Sequence, residues 1–344
     1  MKHLPTIKDV ASAAGVHFTT VSMALRYDPR IRAETRNRVL AAALRTGYQR
    51  NPVSGALSMR RQSVVAAKST PRIAFVSNRS PENGFYRRDY IGNLLRGARD
   101  KAQALGYEFE VIFVDDGHHD SQSLYRYLKE QAISGLIIGA FEPDRSELSL
   151  PWDEFCVVQI DSRHHRPSFT FVSHDQMHAV RLAFANLRRL GYRRVGLAVG
   201  AHDPIVTANL PGCGYLLELF SVRPADRLEP LLFPPNVGMK AAARIVAEWV
   251  REVGADAVIC NWMMIGRLLR LGGAPRGVGS ACMCLQRPAP QIAGVVSNTD
   301  LVGSQLTSRL AALLQSESYG VPATPTSTYV EGFWHDGTSA PDRN

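Results

Sequence analysis

Three helix-forming stretches joined by short turns occupy the first fifty residues, and nearly all of the chain's net charge sits with them. Residues 1–61 hold eleven Lys and Arg against three acids, a net +8. The whole chain is +9, so the other 283 residues carry only +1. A basic head on a neutral body is the electrostatic footprint of a nucleic-acid-binding module, because neutralising phosphates supplies most of the sequence-independent affinity.

The helices can be read residue by residue. Thr6-Ile7-Lys8-Asp9 fits a capping box, in which a Thr and an acid three residues later satisfy the free N–H groups of a helix start. Ile7, Val10, Ala11 and Ala14 follow at helical spacing, and Gly15 stops the run where a left-handed backbone costs little. After the turn Val16-His17, the segment Phe18 to Leu25 resolves into two faces. Val21, Ala24 and Leu25 point inward, while Thr19, Ser22, Met23 and Arg26 form the outer face suited to a major groove. Phe18 falls on the boundary, either packed at the helix edge or turned toward DNA. A third helix is expected over Arg32 to Thr46, with Val39, Leu40 and Ala43 apolar and Arg36, Arg38 and Arg45 outward. Asn51-Pro52 opens a fourth, short helix. Gly55 inside it costs roughly 1 kcal/mol relative to Ala, so this segment is expected to order on DNA.

These residues carry a resemblance. Thr6-Ile7-Lys8-Asp9-Val10-Ala11, Ala14-Gly15-Val16, Thr20-Val21-Ser22, Thr35-Arg36 with Val39, Gly47-Tyr48, Asn51-Pro52 and Leu57 are similar, without gaps, to the head of the lac-repressor (LacI/GalR) family of transcription regulators. The resemblance implies that the second helix reads the major groove through Phe18, Thr19 and position 23, with Thr20 and Ser22 on phosphates. It also implies that the hinge helix pairs across a homodimer and that Leu57 wedges into the minor groove. Thr6, Ile7, His17, Arg26, Arg30, Arg32, Asn51 and Ser54 complete the expected DNA-contacting set. Position 23, usually Arg in the family, is Met23 here, which removes a bidentate donor to guanine worth about 1 to 3 kcal/mol of discrimination. Phe18 and Met23 would instead contact thymine methyls. His17 and Arg32 replace Ser residues, and Gly55 replaces a longer side chain.

From Arg72 onward, short runs rich in Val and Ile alternate with amphipathic segments. Strands are expected at 73–77, 108–114, 135–138, 156–160, 195–199, 257–260 and 292–297, and helices at 92–105, 178–190, 241–253 and 302–314. That rhythm predicts parallel sheets with helices on both faces. It resembles the periplasmic-binding-protein-like sensor of the same family, two doubly wound lobes closing on a small ligand. The expected organisation is a helix-turn-helix head at 1–50, a hinge helix and linker at 51–71, and an effector-binding and dimerisation domain at 72–344. Lobe 1 would take about 72–161 and 297–325, and lobe 2 about 162–296 and 326–337, with crossings near 160–176 and 296–330.

Ligand sites in such folds lie beyond the carboxyl ends of strands, which nominates Asn78, Phe85, Tyr86, Asp161, Arg163, Asp175, Asn261 and Trp262. An aromatic with amides and carboxylates suits a sugar. The family's Arg in the first helix of lobe 2 is absent from Asn209 to Tyr215, and its Gly-Phe-Asp-Asp is replaced by Cys282-Met283-Cys284-Leu285, so no known effector carries over.

Nothing in the sequence signals catalysis, since no nucleophile elbow, zinc-protease helix or phosphate loop occurs. No cofactor and no metal is expected; the acidic, His-containing run Asp115 to Asp120 reads as a polar loop. Five scattered cysteines argue against a disulfide scaffold, and Cys282 and Cys284 read as plain buried thiols. The start, Met1-Lys2-His3-Leu4-Pro5, has no apolar stretch of signal-peptide length, and no run spans a membrane. The expectation is therefore a cytoplasmic, homodimeric, sequence-specific regulator of transcription, a repressor, on a roughly palindromic operator and answering to a small molecule such as a carbohydrate. The alternatives are a solute-binding protein of sugar transport, which shares the body fold, and an enzyme on a doubly wound scaffold.

Overall fold

The computed structural model describes residues 6–25, 30–46, 70–78, 85–114, 121–139, 141, 148–160, 166–200, 209–234 and 237–344, and it divides into two units, Met1–Ser69 and Thr70–Asn344. Among the described residues the first unit has three helices: α1 (Ile7–Ala14), α2 (Phe18–Ala24) and α3 (Ala33–Thr46). At the start of α1, Thr6 donates both its N–H and its hydroxyl to Asp9 Oδ2, at 2.6 and 2.7 Å. Gly15 ends α1 at φ 63°, ψ 39°, the left-handed conformation that a side chain resists. His17 caps α2, its Nδ1 accepting the Thr19 N–H.

Val10, Ala11, Ala14, Val21, Ala24, Val39, Ala42 and Ala43 form the head's core. Five of the eight are alanines, so these short helices can approach closely. Two expectations shift. Ala42 is fully buried and Leu40 only half-buried, because the helix turns its 39/42/43 stripe inward. Arg36 is half-buried rather than outward, donating Nη2 to the Ile31 carbonyl at 3.0 Å and so tying α3 to the turn before it. The hinge helix expected from Asn51, and Gly55 within it, lie outside the described residues.

The second unit holds two six-stranded sheets. The first comprises β1 (Arg72–Ser77), β2 (Glu108–Phe113), β3 (Ile133–Ile138), β4 (Cys156–Ile160), β5 (Thr170–His174) and β11 (Ser327–Val330), in the order β11-β5-β4-β3-β1-β2 and all parallel. Packed on it are α4 (Phe85–Leu105), α5 (Ser121–Glu130) and α10 (Thr299–Gln315). The second comprises β6 (Val195–Gly200), β7 (Leu231–Phe233), β8 (Ala257–Cys260), β9 (Gly279–Leu285), β10 (Ala293–Val296) and β12 (Phe333–His335), in the order β12-β10-β9-β8-β6-β7. Only its edge strand β12 is antiparallel. Its helices are α6 (Gln176–Arg189), α7 (Leu210–Leu219), α8 (Met239–Val253) and α9 (Ile265–Leu271).

Strands buried on both faces read as continuous apolar runs, and β1, β3, β4, β6 and β8 are of that kind. In lobe 1, α4 and α10 meet through glycine. A Cβ at Gly97 would lie 1.8 Å from the Asp300 carbonyl oxygen, and one at Gly303 2.0 Å from that of Leu94. The lobe boundaries differ from expectation. Residues 162–174 and 326–330, assigned from sequence to lobe 2, supply β5 and β11 to the first sheet, because β5 finds its partner in β4 and β11 finds its partner in β5. The chain therefore crosses between lobes after His174, after Val296 and after Val330. Among the described residues no helix is long and apolar enough to cross a membrane.

Candidate nucleic-acid interface and ligand cleft

The outer face of α2 is set by its inner one. Val21 and Ala24 are fully buried, which turns Thr19 outward and leaves Ser22 and Met23 half-buried on its flank. Phe18 stays out of the head's core and is 44% exposed, its ring tilted against His17 at 4.2 Å between centroids. The helix-edge core position is thus not the one it takes. Thr19 Oγ1 lies 2.8 Å from His17 Nδ1, the nitrogen that also accepts the Thr19 N–H. That acceptor role places the proton of the neutral ring on Nε2, a donor on an exposed side chain. Arg30 and Arg32 are exposed, and Thr20 is half-buried. Thr6 is exposed with its hydroxyl committed to Asp9, and Ile7 packs partly on the core. Arg26, Asn51, Ser54 and Leu57 lie outside the described residues.

In the second unit the strands converge on one region. β1, β3, β4 and β5 end at Ser77, Ile138, Ile160 and His174, and β6, β8, β9 and β10 end at Gly200, Cys260, Leu285 and Val296. Asn93 of α4 donates Nδ2 to the carbonyl of Gln286, the residue after β9, at 3.3 Å. This bond joins the carboxyl-end rims of the two sheets. Asn78 follows β1 and is half-buried, and Phe85 and Tyr86 form the first turn of α4. Asn261 and Trp262 follow β8 on the opposite rim. Trp262 stacks on Phe233 at 4.6 Å and 18°, which fixes its indole. Asp175 stands at the first crossing and spends one oxygen capping α6, accepting the His178 N–H at 2.8 Å. Asp161 and Arg163 lie outside the described residues.

Sequence reasoning missed three rim residues. His174 is buried at the end of β5 with Nδ1 at 3.3 Å from the Val330 carbonyl oxygen and Nε2 at 3.4 Å from that of Met283, so it touches both lobes. Gln286 bridges Ser297 Oγ at 3.2 Å and Thr299 Oγ1 at 2.9 Å, and Asn93 meets its backbone. Place at or after a strand end could have signalled His174 and Gln286, but neither β5 nor β9 was expected, and Asn93 lies within α4.

Of the two thiols expected to be buried, Cys282 is buried and Cys284 is partly exposed; Cys213 is exposed. The neighbouring Cys284 and its own burial push the Cys282 thiol well above the ordinary range. Among the described residues no group of three or more His, Cys, Asp or Glu is placed to hold a metal ion. The run Asp115 to Asp120 lies outside them.

Comparison with known proteins follows the same division. Residues 6–51 match the family described as bacterial regulatory proteins, lacI family, and residues 79–213 match periplasmic binding proteins and sugar binding domain of LacI family. An HTH-type transcriptional regulator of Streptomyces limosus is 28% identical over 278 residues, covering 75% of this chain and 70% of that one. The ribose operon repressor of Bacillus subtilis (strain 168) is 30% identical over 217 residues, covering 62% of this chain and 61% of its own. Among solved structures, the transcriptional regulator CelR-cellobiose complex aligns with a TM-score of 0.60 at 20% identity, over 97% of this chain and 99% of that one. Head, two-lobed body and matches agree, and the chain belongs to the lacI family of bacterial regulatory proteins, which are DNA-binding regulators of transcription and not enzymes.

Proposed function

We propose that the chain is a cytoplasmic, homodimeric repressor that reads a roughly palindromic operator through the outer face of α2 and answers to a small ligand held between the two lobes. The observation that carries this reading is the α2 surface. Phe18 and Thr19 stand out from a head whose core is closed without them, on the part of the chain that bears +8. Phe18, Thr19 and Met23 would face base edges, and Ser22, His17 Nε2, Arg30 and Arg32 would position the head on phosphates. Thr6, Ile7, Thr20, Arg26, Asn51 and Ser54 are assigned to the flanking backbone, and Leu57 to the minor-groove step at the operator centre.

The ligand would sit against Asn78 on one rim and Asn261 and Trp262 on the other, with Asp175 at the crossing; Phe85, Tyr86, Asp161 and Arg163 belong to the proposed set by their place in the sequence. A carbohydrate suits this set, because amides and carboxylates match hydroxyls while a fixed indole such as Trp262 covers a ring face. The relatives named above include a ribose operon repressor and a regulator bound to cellobiose, which supports a sugar.

The test is selection of bound sequences from a random duplex pool at near-physiological salt, repeated with a panel of sugars. An enriched inverted repeat whose recovery changes with one sugar is the expected result. Recovery of duplexes without any shared sequence would show that the head binds charge alone, and the repressor reading would fall.

A further inference from the structure

Three of the five cysteines gather around one residue of the ligand rim. Cys284 donates its thiol to the Asn261 carbonyl at 3.1 Å, and the Cys282 thiol lies 3.9 Å from the same oxygen. The Cys260 thiol is 3.8 Å from the Asn261 side-chain oxygen and accepts the Trp262 N–H at 3.2 Å. Cys260 and Cys282 are register partners on neighbouring strands. The pairing of β9 with β10 slips between Cys282 and Leu285, where three steps along β9 answer two along β10. A bulge of this kind bends the strand and draws its ends together. Two residues of extended strand span about 6.6 Å, the long end of the Cα range a disulfide bridges, and a bulge that bends the strand would bring the two closer. The thiols of Cys282 and Cys284 both reach the Asn261 carbonyl oxygen, one buried and the other partly exposed.

We propose that Cys284 and Cys282 form a peroxide-responsive dithiol, in which Cys284 is the residue attacked and Cys282 the one that resolves it into a disulfide. The Cys284 thiolate attacks the outer oxygen of a hydroperoxide, breaking the O–O bond. It becomes a sulfenic acid, and the peroxide leaves as an alcohol, or as water from hydrogen peroxide, after taking up one proton. The Cys282 sulfur then attacks the Cys284 sulfur, its proton leaves with the sulfenic hydroxyl as water, and the S–S bond forms. Two thiols have lost two protons and two electrons, and the peroxide has gained them. The division of labour follows from exposure: solvent reaches Cys284, while Cys282 is buried and keeps its proton until its neighbour is oxidised. Oxidation removes the thiol donor from the Asn261 carbonyl, so the Asn261-Trp262 turn loses one of the contacts that hold it on the ligand rim and keeps those to Cys260 and Phe233.

The experiment uses the full chain carrying Cys213→Ser, which removes the exposed thiol on α7, treated with hydrogen peroxide and mapped as peptides without reduction. The expected product is a Cys282–Cys284 disulfide that dithiothreitol reverses, with faster amide exchange at 261–264 in the oxidised protein. In Cys282→Ser, Cys284 should stop at a sulfenic acid that a cyclic 1,3-dione traps; in Cys284→Ser, residue 282 should stay a thiol. The untreated Cys213→Ser protein, compared with its peroxide-treated form, does not depend on those variants folding. A bond from Cys260, direct passage of Cys284 to sulfinic acid, or a disulfide with unchanged exchange at 261–264 would each overturn the proposal.

Discussion

Replacing Phe18 by Ala isolates the apolar part of the proposed DNA reading. Aromatic side chains present about 200 Å² for burial, so at 44% exposure roughly 90 Å² of Phe18 remains for DNA to cover. At about 25 cal/mol per Å² that area is worth around 2 kcal/mol, or about thirtyfold in affinity. The fold should hardly register the change, because Phe18 is outside the head's core and its ring contact is with exposed His17. The assay is titration of wild type and Phe18→Ala against three duplexes at fixed salt: the selected operator, the same operator with deoxyuridine for thymine in each half-site, and a random duplex. Deoxyuridine removes only the C5 methyl, about 0.8 kcal/mol of apolar burial. If Phe18 covers that methyl, the two losses overlap and the double change costs about 0.8 kcal/mol less than their sum. Strictly additive losses would remove Phe18 from the methyl. An equal thirtyfold loss on random duplex would show that the ring supports the head instead of reading sequence.

Met23→Arg should move the preferred half-site toward guanine, by about 1 to 3 kcal/mol at one position, as read by repeating the selection with the variant. Tyr215→Phe should cost about 1 to 3 kcal/mol in urea unfolding, because the fully buried hydroxyl lies 3.1 Å from the Val195 carbonyl oxygen and 2.9 Å from that of Leu228, and both would lose it. Gly303→Ala should cost a similar 1 to 3 kcal/mol in urea unfolding through overpacking, since its methyl would meet the Leu94 carbonyl at 2.0 Å. Alkaline stability should fall early. Burial raises the Tyr215 hydroxyl and pushes the Cys156 thiol up to about 11, so both stay protonated in the fold while the unfolded chain ionises from its ordinary values near 10 and 9. The unfolded state then binds fewer protons, and stability complete below pH 9 declines as pH rises through 9 to 11 and beyond. Thermal melts of Cys156→Ala should show a shallower decline over that interval.

What could be read from sequence was whatever is decided locally. The α1 start depends on Thr6 and Asp9, its end on Gly15, and the orientation of α2 on Val21 and Ala24, all within a few turns of chain. β4 and β8 run over the expected residues, because Cys156-Val-Val-Gln-Ile and Ala257-Val-Ile-Cys are buried on both faces. β9 was invisible: Gly279-Ser-Ala-Cys-Met-Cys-Leu has no β-branched or aromatic residue, and it is a strand because β8 and β10 flank it. β7, β11 and β12 are edge strands whose residues are mostly exposed or half-buried, so no apolar run marks them, and β5 was not expected either. The lobe boundaries failed for the same reason, since the sheet that β5 joins depends on a partner distant in sequence. Asp175 shows the reverse, a local role available to be read: an acid three residues before His178 in a helix start is a cap before it is a ligand.

The crossings indicate where a ligand's effect would concentrate. Only Glu331 and Gly332 separate β11, which pairs with β5 in lobe 1, from β12, which pairs with β10 in lobe 2. A Cβ at Gly332 would stand 2.4 Å from the Val296 carbonyl oxygen, so the second and third crossings touch where only glycine fits. Asn298 Nδ2 donates to the Glu331 carbonyl at 2.9 Å, tying the same two strands of chain together. The first crossing joins them through His174, whose ring lies against Val330 of lobe 1 and Met283 of lobe 2. Rotation of one lobe on the other must therefore be absorbed in these few residues, and it carries the Asn261-Trp262 rim toward or away from Asn78 and the start of α4. A ligand shifts that equilibrium only by as much as its affinity differs between the two arrangements. A molecule held by one rim alone would bind without switching, so the effector must be large enough to touch both rims at once, and contact with Trp262 by itself does not qualify a sugar as one.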